Sequence, residues 1–594
     1  MEKLEVFQKQ MKRLNIKAYI ITTSDYHMSE YISDFFKSRQ YLSGFTGSAG
    51  LLLVLQDSAY LWTDGRYYIQ AQKQLEGKAI TLMKQGMPGV PSVAEFLNDN
   101  LKEEDVVAFD GKTVNVSFVL DLKDKIKFPI NILSNIDLIQ TVWDNRPNLP
   151  YSLIYKLDMF FCGKTYEDKI KALRKELKKQ EADSLLLTSL EDQAWLYNLR
   201  ADDVLHTPVF LAYSLITLES TILFVDTNKI DLEVGKYLTD NEIIVKPYND
   251  IYSYLQGFKQ HDIMLDFNKV NYQLYSIISP NNKLINKTNP TVMMKAIKND
   301  VEIKNTKLAH IKDGVAFTKF MYYVKTNHSL QTKMSELSVS NYLQLQREKN
   351  EGFIDLSFST ICGFKDHAAM MHYSATESSN YLLNDNGFLL IDSGGHYLEG
   401  TTDITRTIAL GEISSEMKLH FTTVLKSVIA LSQAVFLKGC RGLNLDILAR
   451  GPIWKLLIDY KCGTGHGVGH ILSVHEPPNG FRWQVVEERS DSAVIVPGMI
   501  TTNEPGIYLE NKYGIRIENE LLCVEKGSNQ FGDFLGFETL TFAPIDIDAI
   551  DTNLLSNDEK NWLNEYHQQV YDKLSPYLSS DEAKWLKHYT RKIN

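Results

Sequence analysis

Cysteine is scarce in this sequence, with five in 594 residues, at Cys162, Cys362, Cys440, Cys462 and Cys523. The number is odd, the positions are scattered, and no pair has the spacing of a zinc clip. A disulfide scaffold is therefore excluded, and a reducing cytoplasm is the expected compartment. Long apolar runs are missing too. No stretch reaches the length needed to cross a bilayer, so no membrane role is expected. The opening MEKLEVFQKQMKRL reads as amphipathic rather than as a signal peptide. Positive charge is in deficit: Lys plus Arg is 63 against 74 acids, a net charge of −11, which argues against a nucleic-acid partner. There is no low-complexity tract and no solenoid period, and the glycine-rich run 463–480 carries no GK[ST] of a phosphate loop. What remains is an ordinary globular composition, 44% hydrophobic and 23% charged, in a chain too long for one core.

The first half of the chain reads as one pattern used twice. Leu4, Phe7, Met11 and Leu14 recur at helical spacing before the strand-like AYIITT (18–23), as Ile170, Leu173 and Leu177 do before SLLLT (184–188). Further on, LLVLQDSAYLWTD (52–64) aligns without gaps to SLITLESTILFVD (214–226). Each predicts a hairpin, with polar turns at Asp57-Ser58 and Glu219-Ser220. Two related α/β domains are expected, at 1–150 and 151–295, joined through the proline-bearing DNRPNLP (144–150). From 295 to about Leu330 the pattern predicts one long helix, with Ile303, Leu308, Ile311, Val315 and Phe317 broadly periodic. The third domain spans 296–594, and its tail is helical through Trp562, Leu563, Tyr566, Val570 and Leu574.

Side chains suited to chemistry gather in the last third. In FLLIDSGGHYLEGTTDITRTIAL (388–410) a buried strand run ends at Asp392, and Thr401–Leu410 alternates, with Asp403, Thr405 and Thr407 on one face and Ile404 and Ile408 on the other. Pairing such strands brings both aspartates together, a repulsion that a cation relieves. The plainer alternative is that Asp392 ends a strand and Asp403 is solvated. ITTNEPGIYL (500–509) holds Glu504 in extended geometry before Pro505. GIRIENELL (514–522) alternates Ile515 and Ile517 against Arg516 and Glu518, which on its own also fits a half-exposed strand with an i,i+2 ion pair. GTGHGVGHILSVHEPPNG (463–480) supplies His466, His470 and His475 among glycines that do not fit GxGxxG. Four carboxylates and one imidazole make a hard, oxygen-rich donor set that favours Mn²⁺, with Zn²⁺, Co²⁺ and Fe²⁺ also compatible. Two divalent ions there suit water attack on an amide carbonyl, without a Ser or Cys nucleophile.

At these residues the sequence resembles the pita-bread metallopeptidases, and within them the three-domain aminopeptidase P (Xaa-Pro aminopeptidase) family. The similarity runs through YLSGFTGSAG (41–50), WTDGRYY (62–68), AWLYNLRADDV (194–204), IDSGGHYLEGTTDITRT (391–407), GTGHGVG (463–469), NEPG (503–506) and GIRIEN (514–519). The resemblance implies an α/β (α+β) chain, with two creatinase-type N-terminal domains and a C-terminal pita-bread catalytic domain. It also implies two divalent ions per subunit, a homodimer, and peptides with N-terminal Xaa-Pro as substrates.

Carried over by position, Asp392 binds one ion, Asp403 serves both, His466 and Glu504 bind the second, and Glu518 bridges them. Glu504 is the implied general base. His475 contacts the peptide and stabilises the oxyanion, and His372 in MMHYSAT (370–376) is a second peptide contact. Arg516 orients carboxylates. The substrate-facing set is thus Arg66, His372, His466, His475 and Arg516. Arg66 has no counterpart in the second copy, which continues DTNKID after Asp226, so function is favoured over scaffold there. Cys462 departs from the family, whose members often carry histidine at that position. His470 matches no ligand position. The expected rivals are a prolidase-like Xaa-Pro dipeptidase and a metal-free peptide-binding module.

Overall fold

The computed structural model describes residues 2–329, 331–486 and 490–594. The chain divides into two compact units, one of Met1–Asp158 with Lys164–Val292, the other of Met159–Gly163 with Met293–Asn594.

The first unit holds two six-stranded sheets of one design. β1 (Ala18–Thr22), β2 (Leu51–Leu55), β3 (Ala59–Thr63), β4 (Thr81–Lys84), β5 (Val106–Ala108) and β6 (Asn131–Leu133) lie in the order β4-β3-β2-β1-β5-β6. β7 (Ser184–Leu187), β8 (Ala212–Thr217), β9 (Thr221–Val225), β10 (Ile243–Pro247), β11 (Asp262–Leu265) and β12 (Lys283–Asn286) repeat it as β10-β9-β8-β7-β11-β12. Both expected hairpins form, with Leu52 opposite Leu61 and Leu215 opposite Ile222. Helix α1 (Glu2–Arg13) buries Leu4, Phe7 and Met11, and α2 (Tyr166–Lys179) buries Ile170, Leu173 and Leu177. Leu14 departs from the expected stripe: α1 ends at Arg13, and Leu14 is 42% exposed. Residues 144–150 take no helix or strand.

The second unit opens on α3 (Asp300–Asn327), which starts five residues later than the periodicity suggests. Asn299 stops the helix from extending backward. Its backbone is extended (φ −77°, ψ 170°), its Oδ1 accepts the amides of Val301 and Glu302, and Glu302 accepts the Asn299 amide in return. The preceding residues form a separate short helix, Pro290–Ala296. Leu308, expected on the buried stripe, is 45% exposed, while Phe317 is fully buried. Leu330 lies outside the described residues.

β13 (Ile361–Phe364), β14 (Gly387–Ser393) and β15 (Ile404–Leu410) form an antiparallel sheet in that order. Leu389, Ile391, Ile404 and Ile408 pack on Phe317, Phe320 and Met321 of α3. β16 (Val435–Leu437), β19 (Ile500–Asn503), β22 (Asn519–Asn529) and β23 (Gly532–Thr539) make a second sheet, ordered β16-β23-β22-β19. Two short ribbons complete the site: β17 (Gly465–His466) with β18 (Gly480–Phe481), and β20 (Gly506–Leu509) with β21 (Tyr513–Arg516). α4 (Glu336–Glu348), α5 (Ser415–Ser432), α6 (Gly442–Trp454), α7 (Asn557–Leu574) and α8 (Ser580–Tyr589) surround them. Leu563, Tyr566, Val570 and Leu574 of α7 are buried as expected.

Two expected strands are broken. Residues 514–522 are not one strand: β21 pairs with β20, β22 pairs with β19 and β23, and Ile517-Glu518 cross between the two sheets. The strand expected from Thr401 begins only at Ile404, because Gly400–Thr401 pair elsewhere, with His396 and Tyr397. In both places a ligand candidate, Glu518 or Asp403, occupies the crossover.

Candidate metal centre

β14 is buried along its whole length, and its period of two sends Leu389 and Ile391 toward α3 and Asp392 to the opposite face. Asp392 pairs with Thr405 across the ladder, and Asp403, two residues before Thr405, projects from the same side. His466 arrives on β17 because Gly465 permits close approach: a Cβ there would lie 1.9 Å from the Thr502 carbonyl oxygen. Thr502 Oγ1 accepts the His466 amide at 3.0 Å and donates to Glu504 Oε1 at 3.3 Å, linking the two chains. Glu518 is reached through β15, where its amide donates to the Thr405 carbonyl and its Oε2 accepts the Thr405 hydroxyl at 2.8 Å.

These placements converge. Single donor atoms of Asp403, His466 and Glu518 lie within 4.8 Å of one another. His466 Nε2 is 3.5 Å from Asp403 Oδ2 and 3.4 Å from Glu504 Oε1. Asp392 joins through Arg516, whose Nη2 donates to its Oδ2 at 2.5 Å. The plainer alternative, a half-exposed strand with an i,i+2 ion pair, does not form: Arg516 and Glu518 are buried, at 3% and 1% exposure, and Arg516 turns to Asp392.

The electrostatics favour cations between these groups. Burial first, then Glu518, Asp392, Glu504 and Glu520, hold the Asp403 carboxyl well above the usual range. Glu518 is raised in the same way by burial, Glu504 and Asp392. Burial also raises Glu504, against the pull of Arg516. One oxygen each of Asp392 and Asp403 is buried without a hydrogen-bond partner, a costly state for an ionised carboxylate. His466 Nδ1 sits 3.0 Å from the Gly467 carbonyl, which can only accept, so the proton belongs on Nδ1. Nε2 then points a lone pair at two carboxylates. Divalent ions between these groups would satisfy the orphan oxygens and the imidazole together, so the residues fit a metal centre.

Around the ligands the structure adds residues that the motifs do not reveal. Glu520 accepts the Asp403 amide at 2.7 Å, and its other oxygen is 3.2 Å from His310 Nε2 on α3. Tyr508 accepts from Arg516 Nη1 at 2.6 Å. Glu520 was visible as the next acid on the Glu518 face of the alternating run, whereas His310 and Tyr508 meet the site only through the fold. His475 places its ring 4.3 Å from that of His466. His372 follows Met371, whose carbonyl accepts from Arg516 Nη2 at 3.3 Å. His470 is structural: it is 4% exposed, between Thr306 Oγ1 and the Phe161 carbonyl. Burial and Glu504 push the Cys462 thiol up to about 11, so it stays neutral. Arg66 belongs to the other compact unit, in a two-bond pair with Asp64 at 2.9 and 2.7 Å. In the second copy, Asp226 turns instead to the Asn228 amide and side chain.

The fold and this acidic cluster define a metallopeptidase. Residues 304–525 match metallopeptidase family M24, and 533–593 its C-terminal region. Residues 3–139 and 145–302 each match the creatinase/prolidase N-terminal domain. A probable Xaa-Pro aminopeptidase P of Laccaria bicolor is 36% identical, over 97% of this chain and 91% of its own length. The crystal structure of the X-prolyl aminopeptidase of Caenorhabditis elegans, described as a cytosolic enzyme with a di-nuclear active site, superposes with a TM-score of 0.93. It is 32% identical and covers 100% of this chain and 99% of its own. A Xaa-Pro dipeptidase of Bacillus anthracis reaches a TM-score of 0.52 at 25% identity; it is covered over 99% of its length but spans only 64% of this chain. The chain belongs to the Xaa-Pro aminopeptidase P family.

Proposed function

We infer that the protein is an Xaa-Pro aminopeptidase, releasing the first amino acid from peptides whose second residue is proline. The observation that carries this is the convergence of Asp403, His466 and Glu518 donor atoms within 4.8 Å, in a chain related over its full length to such enzymes. Asp392, Asp403, His466, Glu504 and Glu518 would hold two divalent ions, and the hard oxygen-rich donor set favours Mn²⁺. When bound, such ions would supply Lewis acidity and lower the pKa of water at the site.

The chain's own residues do the rest. Glu504 takes the proton from the attacking water and returns it to the proline nitrogen as the C–N bond breaks. That nitrogen belongs to a tertiary amide with no N–H of its own. His475 donates to the carbonyl oxygen as negative charge develops on it. His372 and Arg66 contact the peptide. Arg516 fixes the Asp392 carboxylate through Nη2, while Glu520 fixes the Asp403 backbone.

Three domains, 1–150, 151–295 and 296–594, fit the repeated sheet design. The scarcity of cysteine, five in 594 residues, and the relative described as a cytosolic enzyme support a cytoplasmic location. A homodimer through the catalytic domain is supported by an exposed apolar face: Leu443, Ile447 and Leu448 on α6, then Trp454, Leu457 and Trp483, each at least 36% exposed.

A prolidase-like dipeptidase is the second reading, and a Xaa-Pro-Yaa tripeptide separates the two. With the metal-loaded protein, release of free Xaa and Pro-Yaa supports the aminopeptidase. Hydrolysis of Xaa-Pro alone, with the tripeptide refused, contradicts it.

A further inference from the structure

Residues 364–381 leave the end of β13 and return beside α4, and they carry His372. Their regular structure amounts to one short turn, Lys365–Ala369. A single carboxylate ties them down. Glu336, the first residue of α4, is 0% exposed. Its Oε1 accepts the Phe364 amide at 2.7 Å and faces His367 Nδ1 at 2.9 Å. Its Oε2 accepts the Tyr381 amide at 2.8 Å and the Tyr373 hydroxyl at 3.1 Å. The Glu336 amide donates in turn to the Tyr381 carbonyl. Both ends of the excursion and two side chains inside it therefore meet on one group.

Capping does not account for this carboxylate. α4 is capped by Ser335 with Ser338, so Glu336 is not needed for its own helix. A buried carboxylate is tolerated when charge-assisted hydrogen bonds surround it, and here all of them come from the His372 segment. The opposite side of that segment rests on β21. A Cβ at Gly514 would lie 1.8 Å from the Ala368 carbonyl oxygen, and Arg516 holds the Met371 carbonyl. His372 thus sits between Met371, tied to the metal-site arginine, and Tyr373, tied to Glu336.

We propose that Glu336 is a positioning residue for the reaction: it fixes the 364–381 segment so that His372 meets the bound peptide. This rests on the peptide contact assigned to His372 above. His367, stacked 3.5 Å over Tyr381, is the second member of the same device.

The test is a double-mutant cycle on the metal-loaded full chain, reading kcat/KM for a Xaa-Pro-Yaa tripeptide together with bound metal and Tm. Glu336→Gln keeps one acceptor oxygen and turns the other into a donor facing donors. It is expected to lower kcat/KM by about ten- to hundredfold, the scale of a small misplacement of a contact group, with metal content unchanged. On a His372→Ala background the same change should cost less than about twofold, because the group it positions is gone. Tyr373→Phe removes one donor with little change in packing and should give the same pattern at smaller size, which preserves the test if Glu336→Gln fails to fold. The positioning role is overturned if both variants keep parental rates, or if their losses persist undiminished without His372. His372→Ala at parental rate would remove the peptide contact itself, and the positioning claim with it.

Discussion

Arg516 and Asp392 form the tightest ion pair of the metal centre: Nη2 meets Oδ2 at 2.5 Å with both residues buried. Burial opposes the guanidinium charge, yet Tyr508, Asp392 and Glu504 together hold its pKa above the ordinary arginine value. One arginine cannot neutralise four carboxylates, so its role is orientation. Its planar fork reaches Asp392, Tyr508, Thr405 and the Met371 carbonyl at once.

Arg516→Lys keeps the charge and loses the fork. Loss of a partner that orients a metal ligand costs about 10–100-fold in metal affinity or activity. Metal titration of the variant should show weakening of that order with Tm nearly unchanged. Parental affinity would mean that the charge alone suffices.

Asp403 and Glu518 give the metal-free protein an inverted pH response. Their folded pKa values are raised, by burial first and by neighbouring carboxylates second. A raised carboxyl contributes stability that is fully present below the unfolded pKa, near about 4, and is lost as pH rises through the folded one. Calorimetry of chelated protein should find Tm falling from about pH 5 toward pH 8, with added divalent ion removing most of the fall. Asp403→Asn should raise Tm of the chelated protein at pH 8. A flat profile without metal would contradict the electrostatic account.

Glu476 follows His475 directly and is 3% exposed, with Lys298 Nζ at 2.7 Å and Lys295 Nζ at 3.2 Å, both lysines equally buried. Glu476→Leu strands two ammonium groups and should cost about 3–5 kcal/mol of stability, the scale for breaking a buried charge pair. Urea unfolding measures it. A change below about 1 kcal/mol would show that water reaches the lysines.

Arg66 lies in the other compact unit, and its tie to Asp64 is local. Arg66→Ala should raise KM for tripeptides about tenfold or more, the scale of losing a charged hydrogen bond, while bound metal stays constant. Unchanged KM would return Arg66 to a turn-stabilising role.

Much of this arrangement was legible in the sequence, for identifiable reasons. The duplicated hairpins announced themselves because a period of two with a polar turn is a local property, and both sheets follow it. Asp392, Asp403, Glu504 and Glu518 stood out as acids ending or interrupting apolar strands. Less visible was whatever depends on a crossing between elements. The break at Ile517-Glu518 is hidden because alternation continues through it while the pairing partner changes. The start of α3 moved because an asparagine cap outweighs continuing helical periodicity. Glu336 lies in no motif of the sequence, because the four groups that meet its carboxylate come from residues 28 to 45 positions away.

The most direct measurement is metal content with tripeptide turnover, on the parent and on Asp403→Ala, after chelation and readdition of Mn²⁺. Two ions per chain with turnover restored in the parent, and neither in a folded Asp403→Ala, is the expected result. Full turnover by the chelated parent, or two ions and parental rates in the variant, would contradict a carboxylate cluster built to hold paired cations.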